Sequence, residues 1–442
     1  MAEVFDFLVV GDCEASLASA AIAAKSGART GVIALETQRR TGRQSTSSVP
    51  NFLWRRLNLQ DYGLLLEPVD ARVTLLPDKK VIKTFSNTVA TASEMAAAGN
   101  DDYQFWSSYK DEMVRLGAAT IYPVLAGGNS SRNKNAAGFS GSPDSVASVL
   151  RLSGAAHDML KDYFDNADFI SHLGANILCP AGFGGGEPAS ALLLPEFANT
   201  HSQRVRSGKD STSLARILKK ICDENGVEFF SKKLSGVAAA GRKHCLVTFK
   251  GSDEIRTARL FFADPDRPSS LGINLGSMPL ARKNAAQARV VLRLREKIEP
   301  PAGEENALFH IIDEFADLEN ARASADDGRF PDPLPVAFEF TNDGDIVVSV
   351  SYCPTYFKEA GEKRDWTGQD RQVLIQLVTE RIAQRVEGIT GNVKKTEMQI
   401  TGLSPLNVAW EVSDAEWLIV QPSRHNVIGA AAEMTERLFA NG

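Results

Sequence analysis

The sequence has few cysteines, and they form no pattern that would bind zinc. The five are scattered along 442 residues and include no Cys-x-x-Cys pair: Cys13, Cys179, Cys222, Cys245 and Cys353. A structural zinc site or a disulfide framework is therefore not expected. Reduced thiols in a cytoplasm are the simplest interpretation, and we predict a cytoplasmic protein.

Long apolar runs and an excess of basic charge are also missing. No stretch has the apolar length of a transmembrane helix. The opening MAEVFDFLVV lacks the basic region and cleavage site of a signal peptide, so we expect none. The formal net charge of -6 argues against nucleic acid as a main partner, because phosphate binding needs a basic surface. The sequence neither indicates nor excludes peripheral contact with a membrane surface.

Several catalytic signatures are absent as well. The six histidines show no His-x-x-x-His spacing, and the sequence has no Gly-x-Ser-x-Gly motif, so we predict neither a metal site nor a serine hydrolase of that type. The stretch GFGGGEP at 182–188 lacks the Lys-Ser/Thr ending of a phosphate loop, and we interpret it as a flexible loop. The sequence identifies no catalytic residue.

What the sequence does contain is a β-α-β unit at residues 5–36. FLVV is a short apolar run, typical of a strand buried on both faces of a parallel sheet. An alanine-rich stretch follows and predicts a helix that packs closely on the sheet and ends near Gly27. TGVIALE is the second strand, so the unit predicts a parallel sheet with a right-handed crossover.

The pattern of alternating strands and helices returns twice, after intervening segments of different composition. A hairpin is predicted at 71–85, turning at 77–79, and the motif TNDG predicts another between two later strands. The predicted strands are 7–10, 30–36, 227–230, 260–263, 288–294, 334–340, 345–352 and 416–422. The predicted helices are 15–27, 101–117, 145–178, 211–226, 368–388 and 426–442.

The turn after the first strand, GDCEAS, departs from the dinucleotide fingerprint G-x-G-x-x-G. In that fingerprint the glycines make the turn, admit the pyrophosphate and let helix and strand pack closely. Here the three positions are Gly11, Cys13 and Ser16. Ser16 is small enough, but the Cys13 side chain points where a diphosphate would lie. Asp12 and Glu14 place acids at a helix start that would otherwise attract an anion.

The acid at the end of the second strand also fits a dinucleotide site. Glu36 lies 25 positions after Gly11, close to the spacing of about 20 at which an acid binds the adenosine ribose. A solvated acid at a strand end is the alternative interpretation.

Together these pieces resemble the phytoene-dehydrogenase-like flavoproteins of the amine-oxidase and carotenoid-desaturase superfamily. The pieces that resemble family segments include ETQRRTGRQSTS at 36–47, the stretch 61–85, NGVEFFSKKLSGV at 225–237, LFFADPD at 260–266 and NVIGAAAE at 426–433. Their order and spacing cover most of the chain. The resemblance implies an α/β fold of two domains: a Rossmann-like FAD-binding domain, and a substrate domain with an antiparallel sheet and helices.

The resemblance also implies which residues would contact FAD. Gly42 and Arg43 match the turn that follows the ribose-binding acid. Leu234 lies in NGVEFFSKKLSGV, the stretch at 225–237 that resembles a family segment. Near the C-terminus, Pro422 removes a backbone N–H from the segment where the family binds the flavin phosphate. The full set of predicted cofactor-binding residues is Gly11, Asp12, Cys13, Ser16, Glu36, Gly42, Arg43, Leu234, Asn426, Val427 and Gly429.

The family fold implies domains built from separated segments. We predict an FAD-binding-type domain from residues 1–70, 205–285 and 400–442. A substrate- or partner-binding domain is predicted from 71–204 and 286–399.

Two functions remain open. The first is an FAD-dependent oxidoreductase that transfers hydride from an apolar substrate, or assists its isomerisation. The second is a cofactor-free pseudoenzyme that binds a lipid-like ligand, a partner protein or a homologous subunit, as the Rab GDP-dissociation inhibitors of the same superfamily do. The altered GDCEAS turn favours the second, whereas the family as a whole favours the first.

Overall fold

The structure is a computed structural model. It describes residues 3–34, 51–64, 66–69, 71–116, 151–188, 190–195, 203–205, 214–241, 243–251, 254–262, 285–341, 343–359, 361–403, 410–411, 418–420 and 435. The α-helices are α1 Glu14–Lys25, α2 Asn51–Leu57, α3 Thr88–Ala97, α4 Tyr103–Leu116, α5 Ala156–Lys161, α6 Ala167–Leu178, α7 Leu214–Glu224, α8 Ala316–Asp326 and α9 Gly368–Ala383. Short 3-10 turns span Leu59–Tyr62, Pro77–Lys79, Cys179–Ala181 and Ser190–Leu192.

The strands form three large sheets and two small hairpin-like pairs. In chain order they are β1 Glu3–Phe5, β2 Phe7–Val10, β3 Thr30–Ile33, β4 Leu66–Pro68, β5 Arg72–Leu75, β6 Val81–Thr84, β7 Gln203–Val205, β8 Glu228–Phe230, β9 Leu234–Ala239, β10 Cys245–Phe249, β11 Glu254–Thr257, β12 Leu260–Phe262, β13 Ala285–Leu294, β14 Leu308–Ile311, β15 Val336–Phe340, β16 Ile346–Cys353, β17 Phe357–Glu359, β18 Glu362–Arg364, β19 Val393–Leu403, β20 Trp410–Glu411 and β21 Leu418–Val420. The pairs are β4 with β7 and β17 with β18.

The first large sheet has six strands in the order β20-β21-β12-β2-β3-β8. All its pairings are parallel except that of β20 with β21. The predicted β-α-β unit is confirmed, because β2 and β3 pair in parallel with α1 between them along the chain. Every residue of β2, β3 and β12 is buried, which explains why these strands are continuous apolar or small-residue runs.

A four-stranded sheet, β1-β11-β10-β9, lies beside the first. Strands β9, β10 and β11 form an antiparallel meander, whereas β1 pairs with β11 in parallel. The buried residues of β10 and β11 share one apolar cluster with Leu8, Val10 and Leu260 of the six-stranded sheet. The meander therefore covers one face of that sheet, and helices α1 and α7 pack together on the cluster at the other face.

The seven-stranded sheet has the order β19-β13-β16-β15-β14-β5-β6. The predicted hairpins β5/β6 and β15/β16 are both confirmed as antiparallel pairs. Helix α9 packs against one face through an apolar cluster that contains Leu374, Val378 and Val290. Helix α6 packs against β5, β6 and β14 at the other end of the sheet.

One predicted helix buries a different stripe from the one that the sequence suggested. The spacing in 101–117 placed Phe105 in line with Tyr109, Met113 and Leu116, but Phe105 is 49% exposed. Trp106 is fully buried instead and stacks on Tyr109 at 5.7 Å between ring centroids. In α4 the core-facing stripe thus runs through Trp106, because residues three and seven positions later share its face.

The predicted mixed α/β fold is therefore confirmed. The six-stranded sheet takes strands from three separated parts of the chain, at 7–33, 228–262 and 410–420. The predicted domain boundaries themselves stay a prediction. Within the part of the chain that the structure describes, none of the helices combines the length and apolar character needed to cross a membrane.

Candidate functional site

The chain turns sharply at Gly11, directly after β2. Gly11 has φ 107°, in the left-handed region where a side chain is strained, so glycine is the residue that this position favours. Its N–H donates to the carbonyl oxygen of Ile33 at 2.9 Å, which ties the turn to the end of β3. The turn is therefore anchored to two neighbouring inner strands of the sheet, β2 and β3.

This turn lies where the strand order of the sheet reverses. From β2 the chain continues to β3 on one side, while β12 and β21 were added to the other side from distant parts of the chain. In open parallel sheets, ligands bind outside the carboxyl ends of the strands at such a reversal. Gly11, Asp12 and Cys13 occupy this place.

Helix α1 begins here without a side chain to cap it. Cys13 is the N-cap residue, but its side chain makes no capping hydrogen bond. Its Sγ lies 3.3 Å from the Oγ of Ser16 instead, and the first helical bond runs from the N–H of Leu17 to the Cys13 carbonyl. The helix start therefore has no side-chain cap from Cys13, and the positive end of the helix dipole lies at the Gly11 turn, where it would attract an anion.

Close packing of α1 holds this helix start in place. Residues Ala15 to Ala23 are all buried, and Ser16 is fully buried at the third position of the fingerprint. The Sγ of Cys222 in α7 donates to the carbonyl oxygen of Leu17 at 3.5 Å. Small side chains permit this approach, so the serine does the packing work of the third glycine.

The predicted cofactor residues divide into three groups. Gly11, Asp12, Cys13 and Ser16 meet in the single turn described above. Leu234 is buried at the start of β9, in the same apolar cluster as residues at the ends of β2 and β3. The remaining six lie outside the described residues: Glu36, Gly42, Arg43, Asn426, Val427 and Gly429.

The glycine-rich stretch 182–188 was predicted as a flexible loop, and this prediction is wrong. The carbonyl oxygen of Phe183 accepts a 2.8 Å hydrogen bond from the hydroxyl of Tyr352. Arg322 Nε lies 2.8 Å from Glu187 Oε1, and burial raises the pKa of that carboxyl group. Residues 182–185 are buried, so the loop is part of a core.

The glycines in this loop leave space for two side chains: that of Phe315, directly before α8, and that of Glu319, within α8. A Cβ on Gly185 would lie 1.9 Å from the ring of Phe315, and a Cβ on Gly184 would lie 2.6 Å from Glu319 Oε2. The N–H of Gly186 donates to the same carboxylate oxygen at 3.0 Å. The loop thus binds an anion of its own chain, which the motif alone did not reveal.

Sequence reasoning also missed a buried polar cluster at α6. His172 Nδ1 lies 2.7 Å from Thr74 Oγ1, and His172 Nε2 lies 3.0 Å from Thr84 Oγ1. Burial lowers the pKa of His172 to about 3, with a further contribution from the nearby charge of Arg72. The ring is therefore neutral and joins the helix to both strands of the β5/β6 hairpin.

A buried lysine lies in the same part of the fold. The Nζ of Lys110 is 5.9 Å from the ring centroid of Trp106, and the residue is only 9% exposed. Burial and the charge of Arg72 lower the pKa of Lys110 to about 8. In the sequence, one feature indicates that Lys110 is buried, which is its position in α4 four residues after Trp106, on the same face of the helix.

No metal centre emerges within the described ranges. Those ranges contain no cluster of three His, Cys, Asp or Glu side chains arranged to hold a metal ion. All five cysteines are free thiols.

Comparison with known proteins finds similarity in structure but not in sequence. No protein-family model matches the chain, and no curated protein matches it. Among solved structures, wild-type putrescine oxidase bound to putrescine has a TM-score of 0.55 at 14% identity, over 99% of this chain and 98% of that one. Cyclohexylamine oxidase from Brevibacterium oxydans has a TM-score of 0.53 at 10% identity, over 98% of this chain and 99% of that one.

A protein named for a different role has the same fold. Rab GDI from Plasmodium falciparum has a TM-score of 0.52 at 11% identity, over 100% of this chain and 99% of that one. At these identities the likeness shows a shared fold across the whole length of the chain. The narrower resemblance to phytoene dehydrogenases stays a prediction.

Proposed function

We propose that the chain is an FAD-dependent oxidoreductase that takes hydride from an apolar substrate, or assists its isomerisation. The observation that carries the proposal is the Gly11 turn. A left-handed glycine directly follows β2 at the reversal of the strand order, and α1 begins three residues later without a side-chain cap from Cys13. This combination is what a dinucleotide phosphate requires.

The described residues fit the adenosine diphosphate half of FAD in backbone geometry. Gly11 supplies the turn, and the buried Ser16 permits the close packing of helix on strand. Cys13 is the least suitable residue, because its Cβ stands at the position of the second glycine. The half-buried acids Asp12 and Glu14 weaken anion binding further without blocking the site.

In this proposal the residues of the turn hold the cofactor, and the cofactor supplies the hydride acceptor. The first-turn N–H groups of α1 would face the diphosphate, and Leu234 would lie near the adenosine end beside the ends of β2 and β3. The protein's part is orientation and exclusion of water, so no acid–base pair is required. The phytoene-dehydrogenase likeness suggests an apolar substrate.

The first experiment is a visible absorption spectrum of the purified protein, before and after incubation with FAD and removal of the excess. We expect flavin bands that stay with the protein. A protein that is colourless and retains no flavin after washing would contradict the proposal. An unfolded sample is recognised by circular dichroism, so loss of structure is not mistaken for loss of binding.

A charge-neutral variant tests whether the Gly11 turn is the binding site. Glu14→Gln removes an acid from the first turn of α1. It should tighten FAD binding about two- to fivefold, because a charge at a helix start is worth about 0.3–1 kcal/mol. Glu94→Gln, at a glutamate on α3 that is half-buried like Glu14, is the matched control and should leave the dissociation constant unchanged.

A second candidate, a cofactor-free binding protein, is supported by Cys13 and its acidic neighbours. A side chain at the second fingerprint position, with acids on both sides, is what relaxed selection for phosphate binding would leave. The Rab GDI likeness supports a binding role for this fold. Under this alternative the wild type stays colourless, and Cys13→Gly with Glu14→Gly gains FAD binding that the wild type lacks.

A further inference from the structure

The seven-stranded sheet ends in a long edge strand. β19 spans Val393–Leu403 and pairs with β13 along nearly its whole length. No other described strand pairs with its outer side. An edge strand presents a row of backbone N–H and C=O groups, which is a template for another strand.

The other sheet edges in the described part of the chain are short or covered. The opposite edge of the same sheet, β6, has four residues and lies against α3. The edges of the other two large sheets have two to six residues: β20, β8, β1 and β9. Short and covered edges are the usual protection against strand addition, whereas β19 is long and no strand among the described residues covers its outer edge.

The two faces of β19 differ in a regular way. Met398 and Ile400 face the apolar cluster beneath α9 and are half-buried, whereas Lys395, Glu397 and Gln399 are exposed. The alternation fixes which side chains a strand added at the edge would meet on each face. The apolar face and the pairing with β13 hold the strand in place, so its edge is preformed.

We propose that β19 pairs with β19 of a second copy of this chain, antiparallel and around a two-fold axis at Thr396. The axis stands perpendicular to the sheet, so each side chain stays on its own face. A residue can then lie opposite only a residue an even number of positions away. This rule limits the registers to those centred on a single residue.

Opposite charges favour one of these registers. A centre at Thr396 places Lys395 opposite Glu397 of the second copy, and Glu397 opposite its Lys395. A centre at Lys395 or at Glu397 would place like charges directly opposite each other, which is unfavourable. The strand is therefore complementary to itself in the register centred on Thr396, and this self-complementarity is what identifies the partner.

In the single chain these charges are arranged for the same contact. Lys395 Nζ lies 3.3 Å from Glu397 Oε1, and Arg293 on β13 lies 3.5 Å from the same carboxylate oxygen. Both acid and base are more than two-fifths exposed, so they remain accessible from the edge. Pairing would extend the row of alternating charges across the junction.

The test is the oligomeric state by sedimentation, with variants that change only this strand. The wild type should sediment as a dimer in dilute buffer. Glu397→Lys should weaken the dimer about tenfold or more, because each of two symmetric pairs becomes a repulsion. The swap Lys395→Glu with Glu397→Lys should restore it. Glu362→Lys, an exposed strand glutamate on β18, should have no effect.

The register is tested with single cysteines. Thr396→Cys places a thiol on the two-fold axis and should form a disulfide between copies under mild oxidation. Gln399→Cys, three residues from the axis, should not. The parent chain, with its own five thiols, gives the background.

Three outcomes would overturn the proposal. They are a wild type that sediments as a monomer, a dimer that ignores both Glu397→Lys and the swap, and a Gln399→Cys protein that cross-links as well as Thr396→Cys. A larger complex seen only with another protein added would assign the edge to a different partner. Circular dichroism and the thermal midpoint of each variant separate loss of the dimer from loss of the fold.

Discussion

In the run of three glycines at 184–186, Gly184 and Gly185 lack side chains because the space beside them is filled. Phe315 and Glu319 occupy it, and Gly174 approaches the same phenyl ring from α6. The ring of His157 stacks on Phe315 at 4.3 Å between centroids. In this loop glycine serves close packing, which a glycine-rich motif does not distinguish from flexibility.

Gly185→Ala should therefore destabilise the protein. Its Cβ would lie 1.9 Å from a ring that is itself held by His157, so we expect a loss of about 1–3 kcal/mol in the free energy of unfolding. Chemical denaturation measures it. Gly236→Ala, at an open position in β9, is the control and should change stability little. Equal stability of both variants would restore the interpretation of 182–188 as a flexible loop.

His172 should make stability depend on pH. The pKa of His172 in the folded protein is about 3, below the ordinary 6.5. Below pH 6.5 this side chain is therefore protonated in the unfolded chain but stays neutral in the folded protein. The contribution of the neutral His172 ring to the free energy of unfolding is complete above pH 6.5 and is lost as the pH falls toward 3. Between pH 6.5 and 4 the loss is about 3 kcal/mol.

The measurement is the free energy of unfolding at several pH values, for the wild type and for His172→Asn. The variant has lower stability at neutral pH because contacts to Thr74 and Thr84 are lost. Its slope below pH 6.5 should be shallower by about 1.4 kcal/mol per pH unit. Parallel curves for the two proteins would contradict a neutral buried ring.

Residue spacing revealed part of the candidate site but not its surroundings. Gly11, Cys13 and Ser16 were identified because the fingerprint is local, three positions within six residues. Glu319 was not identified, because its partner Gly186 lies 133 residues away along the chain. Contacts of that separation leave no local pattern, and neither did the pairing of His172 with Thr74 and Thr84.

At the scale of the element, helix α9 begins with a complete capping box. The Thr367 hydroxyl oxygen accepts from the N–H of Asp370, and the Asp370 carboxylate accepts from the N–H of Thr367. Arg364 adds two hydrogen bonds to the same carboxylate, and they hold the pKa of Asp370 well below its usual range. The cap joins the β17/β18 hairpin to the start of α9.

Thr367→Ala should cost about 1 kcal/mol of stability, because it removes the hydroxyl that caps the helix. Thermal and chemical unfolding both report this change. Thr379→Ala is a matched control on the same helix, where the hydroxyl donates only to the carbonyl oxygen of Ile375. That variant should be neutral or slightly stabilising, since alanine has the higher helix propensity. A larger loss at Thr379 than at Thr367 would contradict the capping role.

Elements with a local signal were predicted well, and their neighbours were not. The hairpins β5/β6 and β15/β16 follow from turn residues between alternating strands, and both are antiparallel as expected. The parallel pairing of β5 with β14 joins residues 72 to 75 with 308 to 311. Neither stretch carries a sequence pattern that indicates its partner strand, so the strand order of the seven-stranded sheet could not be predicted from the sequence.

At the scale of the whole molecule, the described residues form separate apolar cores. Val32 lies in the cluster between the six-stranded sheet and helices α1 and α7. Val290 lies in the cluster between the seven-stranded sheet and α9. Separate cores lose their packing separately when no large shared core joins them. The predicted pair of domains stays a prediction, which the unfolding of these cores would test.

We therefore expect calorimetry to resolve two unfolding transitions. Val32→Ala and Val290→Ala are matched variants, since each removes two buried methyl groups from a fully buried strand position. Each should cost about 2 kcal/mol, and each should lower a different transition. FAD, if it binds at the Gly11 turn, should raise only the transition that Val32→Ala lowers. A single transition that shifts equally in both variants would show one cooperative unit.

The six-stranded sheet has a consequence for how the chain is made. Its first strand is complete at Val10, yet β12 and β21, which extend the sheet on that strand's far side, end at Phe262 and Val420. At a synthesis rate of roughly 5–20 residues per second, the last of these follows the first by on the order of 20–80 s. The strand that pairs with the outer edge of β2 is β12, so this edge lacks its partner strand until Phe262 is made, on the order of 13–50 s at the same rate. Such a nascent chain needs protection from its neighbours, and expression should gain from added chaperones.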